Sequence, residues 1–258
     1  MHESAIILKT AALREADKRV VFFTGPHGKL TGVARGARKS RRRYAGVLEA
    51  LNQVRLEWKP SAQGGMVTIV EASAERIHGR FREDLAAMTA ATHGVELVDK
   101  LVEEDQPHPA LFDGLRQLLE LLAAGAPTDG LLRAFELKIV SVVGYRPALD
   151  RCALCGGALT ETLRFSPDSG GAVCARCSAA PPSRRVRVET LEAMRTLLRE
   201  PLAAAAERRL EAPLARELRE LIPDFIERVT GRRLQALPLL ESLDPRPARG
   251  LAFEPEDP

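Results

Sequence analysis

The chain has 258 residues and an ordinary 45% hydrophobic content, enough for two domains and a sizeable core. Its apolar runs fall well short of a bilayer span, and the start Met1-His2-Glu3-Ser4 lacks the basic and apolar regions of an export signal, so the cytoplasm is the expected address. The net charge is only +3, but residues 1–80 carry 15 Lys or Arg against 7 Asp or Glu, which leaves −5 for residues 81–258. Such asymmetry points to a nucleic acid or another polyanion as the partner of the first part.

The first eighty residues read as strands. Ala5–Leu8 and Lys18–Phe23 are short buried runs, and Thr24-Gly25-Pro26-His27-Gly28-Lys29 has the chemistry of a hairpin turn. Leu30–Ala34 gives a third strand, Val47–Lys59 a fourth and Met66–Ile77 a fifth. Five short strands in this length suit a small closed barrel of the OB-fold type. The turn Gly25–Lys29 is too short for a phosphate-binding P-loop and lacks the Ser or Thr after Lys. Gly25-x-x-Gly28 joins strands, whereas the KH clamp joins helices.

Between the third and fourth strands runs Ala34-Arg35-Gly36-Ala37-Arg38-Lys39-Ser40-Arg41-Arg42-Arg43-Tyr44. From Lys29 to Arg43 there are seven cations and no acid. Most charge runs are only solvated surface. One with no interleaved acid carries self-repulsion, however, and Gly36 and Ser40 leave its backbone free to follow a phosphate chain. Lys29, Arg35, Arg38, Lys39, Arg41, Arg42 and Arg43 are therefore the expected DNA contacts. Tyr44 is either a base-stacking platform or a barrel-packing residue. With few aromatics here, backbone electrostatics should dominate over base stacking.

From residue 81 the spacing becomes helical. Leu85, Met88, Thr92, Val95, Val98 and Val102 mark a first helix with Asp84 near its start, and Pro107-His108-Pro109 ends it. Leu111, Leu115, Leu118, Leu119 and Leu122 mark a second. Thr128 and Asp129 are expected to cap a third over Leu131–Val143. Further helices are expected over 188–199 and 213–230, with a kink or break at Pro223. Glu103-Glu104-Asp105 reads as a solvated helix end. The five histidines are scattered, and no catalytic constellation is visible.

The helices are interrupted by Cys152-Ala-Leu-Cys155 and Cys174-Ala-Arg-Cys177, which hold all four cysteines. Two Cys-x-x-Cys pairs at this separation are the signature of a four-thiolate site, most often structural zinc. Iron has the same ligand set, and the sequence does not separate the two metals. A redox pair would sit at a helix start, and disulfides would need an oxidising compartment. The expected architecture is α+β: an OB-fold barrel over 1–80, a helical domain over 81–150 and 185–241, a zinc-ribbon-like insert over 151–184, and a flexible tail over 242–258.

The order of parts resembles the RecO family of bacterial recombination mediators. The carrying residues are Ile6-Ile7-Leu8-Lys9, Asp17-Lys18 leading to Phe23-Thr24, Gly28-Lys29, Ala34–Ser40, Phe135-Glu136, Gly144-Tyr145-Arg146-Pro147 with Cys152-x-x-Cys155, and Phe165-Ser166 with Gly170-Gly171-x-x-Cys174. Gly231-Arg232-Arg233-Leu234 resembles the family's closing helix. The resemblance implies an OB-fold, a helical domain and a zinc insert in a protein without catalytic activity. It also implies binding of single- and double-stranded DNA, strand annealing, contacts with RecR and the single-strand-binding protein SSB, and help in loading RecA. On this chain the acidic SSB tail would meet the helices near Arg133, Phe135 and Lys138. The rival readings are a zinc-ribbon scaffold between two proteins and an RNA-binding OB protein.

Overall fold

A computed structural model of the chain describes residues 1–243, apart from residues 41, 45, 63, 160–162, 178, 180 and 181. Five strands, β1 (His2–Ala12), β2 (Lys18–Thr24), β3 (Gly28–Ala34), β4 (Gln53–Lys59) and β5 (Val67–Arg76), close into a barrel in the order β1-β2-β3-β5-β4. The pairings are antiparallel except β3 with β5, and β1 closes the ring on β4. This is an OB-like barrel. Ile7, Phe22, Leu30, Leu56, Trp58 and Ile69 fill it.

The first strands have no polar face because both faces are buried. Ile7 and Phe22 point into the barrel, whereas Ile6, Leu8, Val21 and Phe23 point outward and join the core of the helices. Phe23 lies 6.1 Å from Phe112 between ring centres. Burying such a side chain contributes about 1.5–3 kcal/mol, so the outer face of β1 and β2 is docked into the helical core while the barrel interior keeps a core of its own. The junction is close: at Gly28, with φ +71°, a Cβ would come within 1.9 Å of the Gln106 carbonyl oxygen. Only glycine fits there.

The fourth strand begins at Gln53, not at the expected Val47. Val47 and Leu48 are apolar because they pack into the barrel core, and Leu51 turns the chain at φ 71° before β4 starts. Five helices are expected and seven form among the described residues: α1 (Leu85–Leu101), α2 (Pro109–Ala123), α3 (Thr128–Val142), α4 (Val188–Arg199), α5 (Leu202–Glu207), α6 (Ala212–Thr230) and α7 (Leu237–Leu243). Asp84 caps α1 by accepting from the Ala87 N–H at 3.0 Å. Thr128 and Asp129 do not cap α3. They lie inside it, with Pro127 at the N-cap. Helix α6 runs through Pro223 without a break, and Gly231-Arg232-Arg233-Leu234 follows it as irregular chain, not as a helix. The expected tail over 242–258 overlaps the end of α7, and its remainder lies outside the described residues.

Helix α3 sits in the middle of the bundle and is buried on nearly every side. A small sheet, β7-β6-β8, built from β6 (Arg164–Ser166), β7 (Gly171–Val173) and β8 (Arg184–Arg185), carries the cysteine segment. Phe165 of β6 is fully buried and meets Phe225 of α6 edge to face, with ring centres 5.7 Å apart. The insert is thereby anchored in the helical core. Among the described residues, no helix is long and apolar enough to cross a membrane.

Candidate nucleic-acid interface and metal centre

The cationic loop leaves β3 at the barrel end where β1 turns into β2, since Lys18 pairs with Ala34. The β1–β2 connection holds it there. Asp17 accepts from the Gly36 N–H at 2.8 Å, and the Arg38 N–H donates to the Ala16 carbonyl at 3.0 Å. Within the loop, Arg43 donates to the Arg35 carbonyl at 2.9 Å and lies over the Tyr44 ring at 5.3 Å. The loop is thus folded back on itself rather than extended.

Arg35, Arg38, Lys39, Arg42 and Arg43 are all exposed at this end. Arg38 donates to the Glu15 carbonyl, and only Lys39 meets a carboxylate among the described residues, that of Glu15 at 2.9 Å. Both partners of that pair are largely in solvent, so it contributes little. Arg41 lies outside the described residues. Sequence reasoning missed Arg14 and Arg19, which are exposed and reach the same end through the β1–β2 connection and through the pairing of Arg19 with Val33. Their signal was the register: Arg19 alternates with the inward Val20 and so faces outward.

Two expected contacts are placed elsewhere. The Lys29 ammonium donates to the Asp99 carbonyl at the end of α1, so it ties the barrel to the helices instead of facing the cationic loop. Tyr44 is 1% exposed, and its hydroxyl donates to the Ile69 carbonyl at 3.0 Å. Burial, the main influence, raises its pKa, partly offset by Arg43. It closes the barrel end under the loop and has no free face for a base.

The three residues expected to meet an acidic tail do not form a surface. Phe135 is 1% exposed and Arg133 is 4% exposed. The guanidinium of Arg133 lies 2.9 Å from Glu136, which in turn meets His93 Nε2 at 2.7 Å, and all three groups are buried. Lys138 donates to the Leu198 carbonyl at 2.8 Å, at the end of α4. These side chains hold the bundle together.

The four cysteine sulfurs all lie within 4.8 Å of one another. A tetrahedral shell with metal–sulfur bonds of about 2.3 Å separates its sulfurs by about 3.8 Å. Cys155 and Cys174 Sγ are 3.8 Å apart, which matches, whereas a disulfide would need about 2 Å. The first knuckle turns at Gly156, φ +67°, with the Gly156 N–H donating to the Cys152 carbonyl. Burial opposes ionisation of Cys152, yet N–H groups of Cys174, Cys155 and Leu154 pull its thiol down to about 6. The backbone N–H of Cys177 lowers Cys174, whereas Cys177 is pushed up to about 12 by its contacts with the Cys155 and Cys174 thiols. Four sulfurs this close cannot all ionise without a cation between them, so the residues fit a four-thiolate metal site.

Two family profiles cover almost the whole chain: Recombination protein O N terminal over residues 1–78, and Recombination protein O C terminal over residues 82–238. Among curated relatives, a DNA repair protein RecO of Anaeromyxobacter sp. (strain K) is 37% identical over 244 residues, spanning 94% of this chain and 96% of the relative. The DNA repair protein RecO of Myxococcus xanthus (strain DK1622) is 36% identical over 236 residues, 91% of this chain and 94% of its own. That of Roseiflexus sp. (strain RS-1) is 36% identical over 243 residues, 93% and 84%. The OB-like barrel, the helical bundle, the clustered cysteines and these matches agree: the chain belongs to the RecO family of DNA repair proteins.

Proposed function

We propose that this chain works without catalysis, as a DNA-binding mediator of recombinational repair. Single- and double-stranded DNA lies by its phosphates on the cationic barrel end, through Arg35, Arg38, Lys39, Arg42 and Arg43, with Arg14 and Arg19 beside them. Arg41 keeps its place in this set from the sequence. Complementary strands are annealed there. With RecR, the protein helps RecA load onto DNA covered by SSB, in the cytoplasm at the nucleoid. One zinc ion held by Cys152, Cys155, Cys174 and Cys177 is structural, because four thiolates leave no open position for a substrate.

The observation that carries this reading is the cationic loop itself, exposed and nearly free of acidic partners among its described residues. Annealing needs two phosphate backbones brought together against their repulsion. Arginines that displace condensed counterions lower that cost, and base pairing then supplies the fidelity. The test is a strand-annealing assay on SSB-coated oligonucleotides with and without RecR. Wild type should accelerate pairing, and Arg35→Ala/Arg38→Ala/Arg42→Ala should lose the acceleration while keeping its fold. Full annealing by the triple variant would overturn the assignment.

A further inference from the structure

At the opposite end of the barrel, the β2–β3 turn, the β4–β5 hairpin and the segment between α1 and α2 enclose a cleft of about 400 Å³. Its floor is Trp58, Leu30 and Val67, and its walls include the exposed prolines Pro26, Pro60 and Pro107. Trp58 is locked from behind. Its Nε1 donates to Glu3 Oε1 at 2.5 Å, Glu3 Oε2 lies 3.1 Å from His27 Nδ1, and the His27 ring stands edge-on to Trp58 at 5.1 Å. The prolines are rigid and expose apolar surface with no N–H, so the cleft is formed before anything enters it.

The charge of this end is the reverse of the other. The lining contains Asp105 and, behind His27, Glu3, but no lysine or arginine among the described residues. Asp105 is exposed, and its carboxylate has no partner among the described residues. Its backbone is held at φ 58° by a bond from its N–H to the Lys29 carbonyl at 3.1 Å. That conformation is uncommon for a residue with a side chain, and asparagine and aspartate tolerate it best. An apolar slot beside an unpaired carboxylate repels a phosphate chain and fits a cation next to a greasy group.

We infer that this cleft is a docking site for a segment of a protein partner that inserts one apolar side chain between the exposed prolines Pro26, Pro60 and Pro107, above the buried Trp58, and sets a lysine or arginine against Asp105. Because the cleft and the cationic loop occupy opposite ends of the barrel, such a partner and DNA can be held together. Neither blocks the other.

Trp58 is the chain's only tryptophan and forms the buried floor of the cleft, so its fluorescence reports a change of surroundings when the cleft is filled. The full-length protein is titrated with a blocked peptide Leu-Pro-Leu-Arg-Pro-Lys, with its charge-reversed version Leu-Pro-Leu-Glu-Pro-Glu, and with a single-stranded oligothymidylate. The basic peptide should give a saturable change and the other two none. Asp105→Asn, which keeps the backbone conformation, should weaken the peptide by about threefold, the scale of an exposed ion pair. Arg38→Ala/Lys39→Ala should leave the peptide titration unchanged while weakening DNA. No saturable change up to millimolar basic peptide, an unaffected Asp105→Asn, or a response to the acidic peptide or the oligonucleotide instead would each overturn the inference.

Discussion

Glutamine in place of Glu136 keeps the shape of the side chain and removes its charge, leaving the Arg133 guanidinium buried without a counter-ion. Both side chains are at most 5% exposed, and the His93 ring beside them is fully buried. Removing one member of a buried ion pair costs about 3–5 kcal/mol. With a urea dependence of about 2–3 kcal/mol per molar, the unfolding midpoint should fall by roughly 1–2.5 M. Removing both charges, Arg133→Met with Glu136→Gln, should recover most of that loss, because no stranded charge remains. The network is not fully satisfied even in the native protein: His93 Nδ1 and Arg133 Nε have no hydrogen-bond partner among the described residues. The assay is urea unfolding followed by far-ultraviolet circular dichroism in a four-member cycle. A Glu136→Gln midpoint within about 0.3 M of wild type, or a double variant as unstable as the sum of the singles, would refute the reasoning.

The metal and the bundle ends give two further expectations. Cys152→Ser should abolish binding of the proposed metal and lower the helical unfolding midpoint, because the insert is anchored in the bundle through Phe165. Trp58 emission from the barrel should stay at its native position in this variant, and simultaneous loss of both signals would show that the barrel does not hold its structure alone. Glu96 accepts from the Gln235 and Ala236 N–H groups at 2.6 and 2.9 Å and pairs with Lys100 at 2.7 Å, so it ties α7 to α1. Burial works against its ionisation, but Lys100 and the two N–H groups together hold its pKa below the ordinary value of about 4.5. A depressed carboxylate stabilises the fold above its unfolded pKa and loses that contribution as pH falls through the folded one. Wild type should therefore lose the α7 contact in acid below about pH 4.5, whereas Glu96→Gln should already be weakened at pH 7 and show a flatter acid response. Amide hydrogen exchange at residues 235–240 reads both.

How far the residues spoke for themselves depended on the distance over which their partners lie. The run Val20–Phe23 was legible as a buried strand, but its lack of alternation did not tell that Val20 and Phe22 fill the barrel while Val21 and Phe23 meet helices ninety residues on. The cationic loop was plain from its want of acids. Lys29 was counted with it because nothing nearby in sequence announces the Asp99 carbonyl. Val47 and Leu48 look like strand residues because plugging a barrel end demands the same apolar surface as pairing in its wall. In α3, Arg133 and Glu136 carry the i, i+3 spacing of an ion pair inside an otherwise apolar run, and that spacing was the available sign of an interior pair rather than a docking surface. The cysteines were legible from their spacing, a recognisable signature of four thiolates, although it is the β6–β7 pairing between the two pairs that brings the sulfurs together.

The most direct test of DNA held by counterion displacement at the cationic barrel end is the salt dependence of binding to a mixed-sequence single strand. Five phosphate contacts from Arg35, Arg38, Lys39, Arg42 and Arg43 predict a log K against log salt slope of about −3.5, rising to about −5 if Arg14 and Arg19 also engage. Wild type should then lose about two orders of magnitude in affinity between 50 and 200 mM salt. Arg35→Ala/Arg38→Ala/Lys39→Ala/Arg42→Ala should bind weakly to every sequence, with a slope shallower by about 2.8. An unchanged slope with unchanged affinity at low salt would place the DNA elsewhere on the molecule and contradict the account.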